Sequence, residues 1–402
     1  MLSKPQSWLP GRHVPVFPER EVTRAGVEDA PASAGLSRDD VEAMWRAVTR
    51  LYRTGLHPAL ALTVLRRGRT VLSRSIGHVG GGVVAAPDTL FNLFSASKCV
   101  TAMLIHQLVE RGALRLDDTV ASFLPDFGRH GKEWVTVRHL LTHRGGISVL
   151  RAPVDLDLLA QPARIVELIC DAPPAGPAGL RPAYQALAGG YLLGAIVEKV
   201  TGQGIDAHLR REDRRLGLGL SYGLPAARLP EIAENVFTGA APVPPLSWMF
   251  RRAVGVDFTQ AVELSNHPAF LTSVVPSGNV IASAPATARF FQRLLDGGEG
   301  LVAPDTLAAA LAPAGARLEL DGSLGLPIRY SAGFMLGADR ISLYGRRTAR
   351  AFGHIGFSNI VAWADPDRQL AACLMASGKP FITPGQLVWL NVARTISKRC
   401  ET

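Results

Sequence analysis

The sequence of 402 residues has few cysteines and no long uninterrupted apolar run. Its four cysteines, at positions 99, 170, 373 and 400, are scattered, with no Cys-x-x-Cys pair and no histidine spacing that completes a zinc site. We therefore predict no disulfide framework and no metal. No apolar stretch approaches the roughly 18 residues of a transmembrane helix, and the N-terminal segment has no signal-peptide core. This indicates a cytoplasmic protein, with peripheral membrane contact left open.

Lysine is also scarce, with 6 residues against 37 arginines and a net charge of +9. No stretch packs five or six basic residues together as a nucleic-acid-binding tail does. The short arginine clusters at 66–69 and 210–215 are interpreted as solvated faces and turns. With 47% hydrophobic and 19% charged residues, the composition is typical of a folded chain with a substantial core. It predicts no nucleic-acid partner.

The distribution of patterns along the chain predicts two lobes and an arm. Residues 1–36 are rich in proline, charge and small side chains, which indicates an extended arm on the surface. Residues 95–295 show mostly helical periodicity, whereas β-type runs, among them 340–344, dominate on either side. We predict an α/β lobe from 37–94 and 296–402, with a mostly helical lobe inserted at 95–295.

The segment Phe94-Ser95-Ala96-Ser97-Lys98 opens a helical pattern and carries the first catalytic candidates. Ser95 and Lys98 are three residues apart and share one face of a helix, whereas the adjacent Ser97 and Lys98 do not. A serine hydroxyl is a weak nucleophile at neutral pH, and a desolvated lysine with a lowered pKa can accept its proton. The spacing predicts Ser95 as nucleophile and Lys98 as base, although Ser-x-x-Lys alone is a weak signal.

Two further segments carry groups suited to this chemistry. Tyr184 stands just ahead of an apolar helical run, where a phenolate or a shared proton makes it a second base and later the acid for the leaving group. The run Gly353-His354-Ile355-Gly356 precedes a β-type run, and flanking glycines let backbone approach a ligand closely. A buried tyrosine with a satisfied hydroxyl and a histidine in a turn are the alternatives.

Together these motifs resemble the serine β-lactamase and penicillin-binding-protein superfamily, specifically its class C-like branch of family VIII carboxylesterases and transacylases. The resemblance covers roughly residues 40–395 and includes the segments 88–91, 112–118, 136–143 and 276–279. It implies an α+β fold of the β-lactamase/transpeptidase type, with an antiparallel sheet flanked by helices and an inserted, mostly helical lobe. It also implies a covalent acyl-enzyme and no metal or organic cofactor.

The resemblance assigns roles residue by residue. Ser95 resembles the family nucleophile, Lys98 its lysine partner and Tyr184 its catalytic tyrosine. His354-Ile355-Gly356 resembles the substrate-binding motif on the edge strand of the active site. The N–H of Phe357 is then the second oxyanion donor, beside the N–H of Ser95.

Two departures from the family pattern bear on the substrate. Tyr184-Gln185-Ala186 stands where Tyr-x-Asn is usual, and His354-Ile355-Gly356 stands where β-lactamases carry Lys-Thr-Gly. The first departure removes a side-chain amide that would bind the acyl-amido group of a substrate. The second removes a lysine ammonium that would bind the carboxylate of a β-lactam. Both losses favour a simple uncharged ester. Trp248 and Phe250 are candidates for lining an acyl pocket, with ordinary packing as the alternative.

Other candidate groups are interpreted as structural. Ser221 lies in a Gly-x-Ser-x-Gly pattern, but the flanking residues indicate loops instead of the strand and helix of a nucleophile elbow. His139 and His143 have metal-ligand spacing without the glutamate of His-Glu-x-x-His. Asp117 and Asp118 follow a helix end and are interpreted as turn and cap residues.

The sequence therefore predicts a serine carboxylesterase or acyltransferase that acts on small to medium esters, with a small-molecule ester as its partner. An amide hydrolase of the β-lactamase or D-amino-acid peptidase type is the first alternative. An inactive scaffold or binding module with the same fold is the second. The oligomeric state is left open.

Overall fold

Helices and strands alternate along most of the chain. The computed structural model describes residues 11–147, 156–315, 318–381 and 386–401. The helices of this part are α1 (Glu19–Val22), α2 (Arg38–Arg53), α3 (Ser97–Glu110), α4 (Val120–Phe123), α5 (Val137–Leu141), α6 (Pro162–Asp171), α7 (Ala188–Thr201), α8 (Ile205–Leu216), α9 (Leu246–Val254), α10 (Phe258–Leu264), α11 (Pro268–Thr272), α12 (Ala284–Leu295), α13 (Pro304–Leu311) and α14 (Gln386–Arg399). The strands are β1 (Thr23–Ala25), β2 (Ala59–Arg66), β3 (Arg69–Gly80), β4 (Val83–Val84), β5 (Phe91–Asn92), β6 (Ser221–Tyr222), β7 (Val236–Thr238), β8 (Val280–Ala282), β9 (Glu319–Leu320), β10 (Pro327–Tyr330), β11 (Met335–Leu336), β12 (Phe352–Gly356), β13 (Ile360–Asp365), β14 (Leu370–Ala376) and β15 (Gly378–Pro380).

The main sheet is antiparallel and joins distant parts of the chain. Its strand order is β1-β3-β2-β14-β13-β12-β11-β10-β9, and β4 pairs with β3. At its centre β2 pairs with β14, in a register that sets Arg66 opposite Leu370 and Leu60 opposite Ala376. The predicted α+β fold with an antiparallel sheet flanked by helices is confirmed.

Both faces of the sheet are covered, which explains why its central strands are apolar on both sides. Along β2, Leu60, Leu62 and Val64 belong to the core beneath α2 and α14, whereas Ala59 and Ala61 belong to the core on the opposite face. Side chains that alternate along a strand therefore reach two separate cores.

Helix α2 begins with a capping box formed by Ser37 and Asp40. Ser37 Oγ accepts a hydrogen bond from the N–H of Asp40 (3.1 Å), and Asp40 Oδ2 accepts one from the N–H of Ser37 (3.0 Å). This capping box satisfies two backbone groups that the first turn leaves unpaired. The buried stripe of Met44, Val48 and Leu51 then packs toward the sheet.

The structure differs from the sequence expectations at α12, at β1 and at residues 340–344. Helix α12, predicted with the helical lobe, packs against β2, β13 and β14 of the sheet. Strand β1 lies within the predicted arm and extends the sheet by pairing with β3. The strand predicted at 340–344 is wrong, because these residues form bends and turns. The alternating apolar residues of this run do not share one buried face: Ile341 is exposed, whereas Tyr344 is fully buried and donates a hydrogen bond to the carbonyl of Met335 (3.0 Å).

Two negative findings apply to the residues with described structure. None of their helices combines the length and apolar composition needed to span a bilayer. No group of three or more histidine, cysteine, aspartate or glutamate side chains is arranged to hold a metal ion. The four cysteines are buried and unpaired.

Candidate active site

Ser95 lies in a tight 3-10 turn, residues Phe94–Ala96, that connects β5 to α3. The turn begins with Phe94 at φ +48°, a backbone conformation uncommon for a residue other than glycine. Asn92 Oδ1 accepts a hydrogen bond from the N–H of Phe94 (2.9 Å), and Ser97 Oγ accepts one from the N–H of Val280 (2.9 Å). Side chains on both sides of Ser95 therefore hold the turn, and Ser95 precedes α3 instead of lying within it.

The three side chains predicted to do the chemistry lie together. The hydroxyl of Tyr184 donates a hydrogen bond to Ser95 Oγ across 2.5 Å. The amine Nζ of Lys98 lies 3.4 Å from the same oxygen and 4.9 Å from the centre of the Tyr184 ring. Ser95 Oγ is thus in contact with one group that can donate a proton and one that can accept it.

The Lys98 amine is buried among carbonyl groups. It donates hydrogen bonds to the carbonyls of Ala186 (2.8 Å) and Ser277 (3.1 Å), and no ion pair with a described carboxylate neutralises it. Burial disfavours the charged form and lowers the pKa of Lys98 to about 7, with a small opposing effect from Cys99. A neutral amine has two hydrogens for the two carbonyls, which leaves its lone pair available to the proton of Ser95.

Tyr184 is in the opposite situation. Burial raises the pKa of its phenol well above 10, the charge of Asp321 raises it further, and only the hydrogen bond with Ser95 acts to lower it. The resting hydroxyl is therefore protonated and serves as a donor. This favours the shared-proton role of Tyr184 over the phenolate considered from the sequence.

Two neighbours of Tyr184 were missed in the sequence. The Oδ1 atom of Asp321 accepts hydrogen bonds from the backbone N–H groups of Tyr184 (3.2 Å), Ser323 (2.8 Å) and Leu324 (2.8 Å). The ring of His143 packs against that of Tyr184 with centroids 4.7 Å apart. In sequence Asp321-Gly322 is an ordinary turn pair, and His143 was noted for its spacing from His139 and its place in the family segment 136–143, neither of which indicates a contact with Tyr184.

Strand β12 forms the edge of the site and passes close to the nucleophile turn. A Cβ atom added at Gly356 would lie 2.4 Å from the carbonyl oxygen of Leu93, so a glycine is needed for this approach. Phe357 follows the strand, and its ring contacts that of Phe94 with centroids 5.3 Å apart. The backbone of Phe357 thus lies near the turn that carries Ser95. Its role as an oxyanion donor stays a prediction.

His354 on β12 carries no positive charge near neutral pH. Its side chain is buried, and burial together with the positive charge of Lys98 lowers its pKa to about 3. Its Nδ1 atom lies 2.6 Å from the carbonyl oxygen of Ile355. A neutral imidazole here is no substitute for the lysine ammonium that the family pattern places at this position.

Ser95 opens into a cavity of about 310 Å³. The described lining includes Phe250, Ile355 and Gly356, as the sequence indicated, and it contains no charged side chain. His354 and Trp248 are outside this lining, and the Trp248 side chain is 68% exposed to solvent. Most of the wall is apolar, so the cavity accommodates an uncharged, largely apolar group.

Four aromatic rings close one side of the cavity. Phe250, Phe357 and Phe381 line it, and Phe258 packs behind them with ring centroids 4.9–5.0 Å from each of the three. These rings come from α9, α10 and two loops near the sheet. The inserted helices and the sheet therefore both shape the space beside Ser95.

The residues interpreted as structural have structural partners. Ser221 lies in the two-residue strand β6, where a loop was expected, and pairs with Ile281. Asp117 forms a surface ion pair with Arg138 (2.7 Å), and Asp118 accepts a hydrogen bond from the N–H of Arg115 (2.7 Å). His139 accepts a hydrogen bond from the N–H of Thr136 (3.2 Å) at the start of α5.

Comparisons with known proteins agree with this geometry. A family model described as Beta-lactamase matches residues 46–396. Esterase/beta-lactamase LipL of Mycobacterium tuberculosis is 28% identical over 334 residues, which cover 78% of this chain and 76% of that protein. The crystal structure of a penicillin-binding protein homolog from Caulobacter crescentus gives a TM-score of 0.79 at 27% identity, covering 91% of this chain and 99% of the other. The structure of a family VIII carboxylesterase gives a TM-score of 0.77 at 23% identity with the same coverage of 91% and 99%. The chain therefore belongs to the Beta-lactamase family, which confirms the predicted membership of the serine β-lactamase and penicillin-binding-protein superfamily.

Proposed function

We propose that the protein is a serine carboxylesterase that forms an acyl-enzyme on Ser95 and cleaves uncharged small-molecule esters in the cytoplasm. The observation that carries the proposal is the convergence of Tyr184 and Lys98 on Ser95 Oγ beside an apolar cavity. A nucleophile in contact with both a proton acceptor and a proton donor is what acyl transfer through serine requires.

Acylation begins with attack of Ser95 Oγ on the ester carbonyl carbon. The hydroxyl proton passes to the neutral amine of Lys98, whose pKa near 7 leaves about half of it able to accept at neutral pH. The negative charge that develops on the carbonyl oxygen is stabilised by the N–H groups of Ser95 and Phe357. The product of this step is a tetrahedral intermediate bonded to Ser95.

Collapse of the intermediate breaks the bond to the alcohol oxygen. Tyr184, protonated and close to Ser95, delivers a proton to the departing alkoxide and is reprotonated from the ammonium of Lys98. The alcohol leaves and the acyl group remains on Ser95. Water, or a second alcohol in an acyltransferase reaction, then attacks the acyl carbon with Lys98 and Tyr184 in the same roles.

The surroundings of Ser95 favour esters over β-lactams. His354 supplies no charge for a carboxylate, because its imidazole is neutral near pH 7. The amide of Gln185 is buried outside the cavity lining, close to Gly145 and Gly189, and supplies no hydrogen bond to an acyl-amido group. The names of two relatives, an esterase/beta-lactamase and a family VIII carboxylesterase, support the same direction.

An amide hydrolase is the second candidate, because one similar structure is described as a penicillin-binding protein homolog. The two candidates differ in the bond cleaved and share the acyl-enzyme on Ser95. Turnover of nitrocefin at a rate comparable to that of p-nitrophenyl butyrate supports the amide hydrolase and contradicts the ester preference.

The test is rapid mixing with p-nitrophenyl butyrate followed by intact-mass measurement and peptide mapping. We expect a burst of p-nitrophenol and a butyryl group on the peptide that contains Ser95. The variant Ser95→Ala loses both, whereas Ser221→Ala keeps both and serves as the matched control. Failure of Ser95 to react with the activated ester and with a fluorophosphonate probe overturns the proposal and favours an inactive scaffold.

A further inference from the structure

Exposed large apolar side chains are concentrated on the segments that form the cavity beside Ser95. Six of them lie in the segments 180–182, 243–254 and 320–330, all of which lead into or form the cavity wall. We call this set the apolar rim: Leu180, Val243, Leu246, Trp248, Leu320 and Leu326. Exposed apolar side chains grouped around a cavity are a feature of interaction sites.

On one side the rim is formed by α9 and the residues before it. Leu246, Phe250 and Val254 are four residues apart and line the cavity, whereas Trp248 points to solvent. Leu246 is both part of the lining and exposed, so it stands at the mouth of the cavity. The helix therefore has apolar side chains both toward the cavity and toward solvent.

On the other side the rim is formed by the β9–β10 hairpin. Leu324 lines the cavity from the connection between the two strands, while Leu320 and Leu326 are exposed. The N–H of Gly322 donates a hydrogen bond to the carbonyl of Pro182 (2.9 Å), which brings the exposed Leu180 near the hairpin. Apolar side chains thus flank the cavity mouth on two independent elements.

One arginine near the rim, unpaired among the described residues, and the net positive charge of the chain favour a negatively charged surface. Two carboxylates just outside these segments, the exposed Asp257 and the partly buried Glu319, are paired with Arg251 (3.0 Å) and Arg144 (2.7 Å). Arg181 is exposed beside Leu180, and the structure shows no ion pair for it within the described chain. With a net charge of +9 for the whole chain, attraction to an anionic surface is expected.

We propose that the apolar rim docks the enzyme on an anionic lipid surface, from which an apolar ester enters the cavity. Exposed tryptophan and leucine side chains insert into the boundary between headgroups and acyl chains, and anionic lipids add electrostatic attraction. The cavity of about 310 Å³ holds on the order of ten methylene-sized groups, since a water-sized group occupies about 30 Å³. The entry of an ester from the lipid surface rests on the proposed function. The docking of the apolar rim on that surface is independent of it.

Vesicle binding is measured with the Ser95→Ala variant, so that the result is independent of catalysis. Sucrose-loaded vesicles of phosphatidylglycerol and phosphatidylcholine are sedimented with the protein, and pure phosphatidylcholine vesicles are the uncharged comparison. We expect sedimentation with the anionic vesicles and at least about fivefold less with the uncharged ones. Absence of sedimentation with anionic vesicles overturns the proposal.

Matched variants separate the rim from general surface effects. In the same background, Val243→Ser combined with Leu320→Ser should weaken vesicle binding by about tenfold, because two apolar insertions are lost. Ile341→Ser is the control, since Ile341 is 64% exposed and Leu320 is 66% exposed, but Ile341 lies off the rim. Equal vesicle binding by the rim variant and the parent overturns the proposal. Formation of dimers in solution by the parent, lost in the rim variant, also overturns it, because the rim is then a contact between two copies of the chain.

Tryptophan fluorescence reports which surface inserts. Brominated acyl chains should quench Trp248, and the Trp248→Phe variant should lose most of that quenching. Trp134 is 75% exposed and lies away from the cavity wall, so Trp134→Phe should retain it. The reverse result overturns the docking. Hydrolysis of soluble p-nitrophenyl acetate by the wild-type chain tests the proposed function separately.

Discussion

The buried carboxylate of Asp321 accepts a hydrogen bond from the backbone N–H of Tyr184 across 3.2 Å. The two residues come from segments 137 positions apart, and their contact joins the β9–β10 hairpin to the site. Asp321 does not contact Ser95. It positions the tyrosine whose hydroxyl does.

Replacement of Asp321 should therefore reduce both stability and activity. In Asp321→Ala, the N–H groups of Tyr184, Ser323 and Leu324 lose their acceptor, and the free energy of unfolding should fall by about 2–4 kcal/mol. Urea unfolding measures the loss, and the burst rate measures its effect on the site. Asp117→Ala removes an exposed surface carboxylate and should change stability by less than about 1 kcal/mol. Equal effects of the two substitutions would contradict the positioning role.

Removal of the Tyr184 hydroxyl should slow the chemistry without unfolding the protein. We expect Tyr184→Phe to lower the acylation rate by about 10²–10⁴-fold, as is usual for loss of a proton-transfer group. The apparent KM should change much less than kcat. Tyr191→Phe is the control, because the Tyr191 hydroxyl is buried and has no hydrogen-bond partner in the described structure. An active Tyr184→Phe enzyme would remove the tyrosine from the mechanism.

The acylation rate should rise with pH through the pKa of Lys98. Burial lowers this pKa from 10.5 to about 7, and only the neutral amine accepts the proton of Ser95. The neutral fraction at pH 6 is then about one tenth, and the rate should level off above pH 8. Stopped-flow burst rates between pH 5.5 and 9 test this. His354, with a pKa of about 3, adds no limb in that range. A rate independent of pH from 6 to 8 speaks against Lys98 as the base.

A methyl group at Gly356 should disturb the edge of the site. The added Cβ would meet the carbonyl oxygen of Leu93 at 2.4 Å, so β12 or the nucleophile turn must move. We expect Gly356→Ala to lose about 1–3 kcal/mol of stability and to fall in kcat. Gly176→Ala is the matched control, since nothing lies within 4 Å of its added Cβ. Thermal unfolding and ester turnover are measured for both variants. Equal values for Gly356→Ala and Gly176→Ala contradict the close approach of β12 to the nucleophile turn.

Much of the site could be predicted because its signals are local. The spacing of Ser95 and Lys98 restricts both to one side of a turn and helix start, whatever surrounds them. Tyr184 was identified from its place before an apolar helix together with the family resemblance. Asp321 could not be found in this way, because the partners of its Oδ1 atom are backbone N–H groups, which any residue supplies, and its one side-chain partner, the hydroxyl of Tyr330, lies outside the catalytic motifs.

In α9, helical periodicity distinguishes the residue that lines the cavity from the one that faces solvent. Trp248 and Phe250 were predicted together as pocket residues, but positions two apart on a helix point in nearly opposite directions. Phe250 lines the cavity and Trp248 faces solvent. For α12 periodicity identified the helix and gave no information on its partner, because an apolar stripe packs equally well on a sheet or on another helix.

The pairing of β2 with β14 has a consequence for how the protein is made. Arg66 and its partner Leu370 are about 300 residues apart, so at roughly 5–20 residues per second a ribosome needs about 15–60 s between them. During that interval β2 has its neighbour β3 on one edge, whereas the edge that pairs with β14 has left the ribosome without its partner. Until β14 is synthesised, this unpaired edge of β2 is exposed to pairing with other chains, which makes the incomplete chain prone to aggregation.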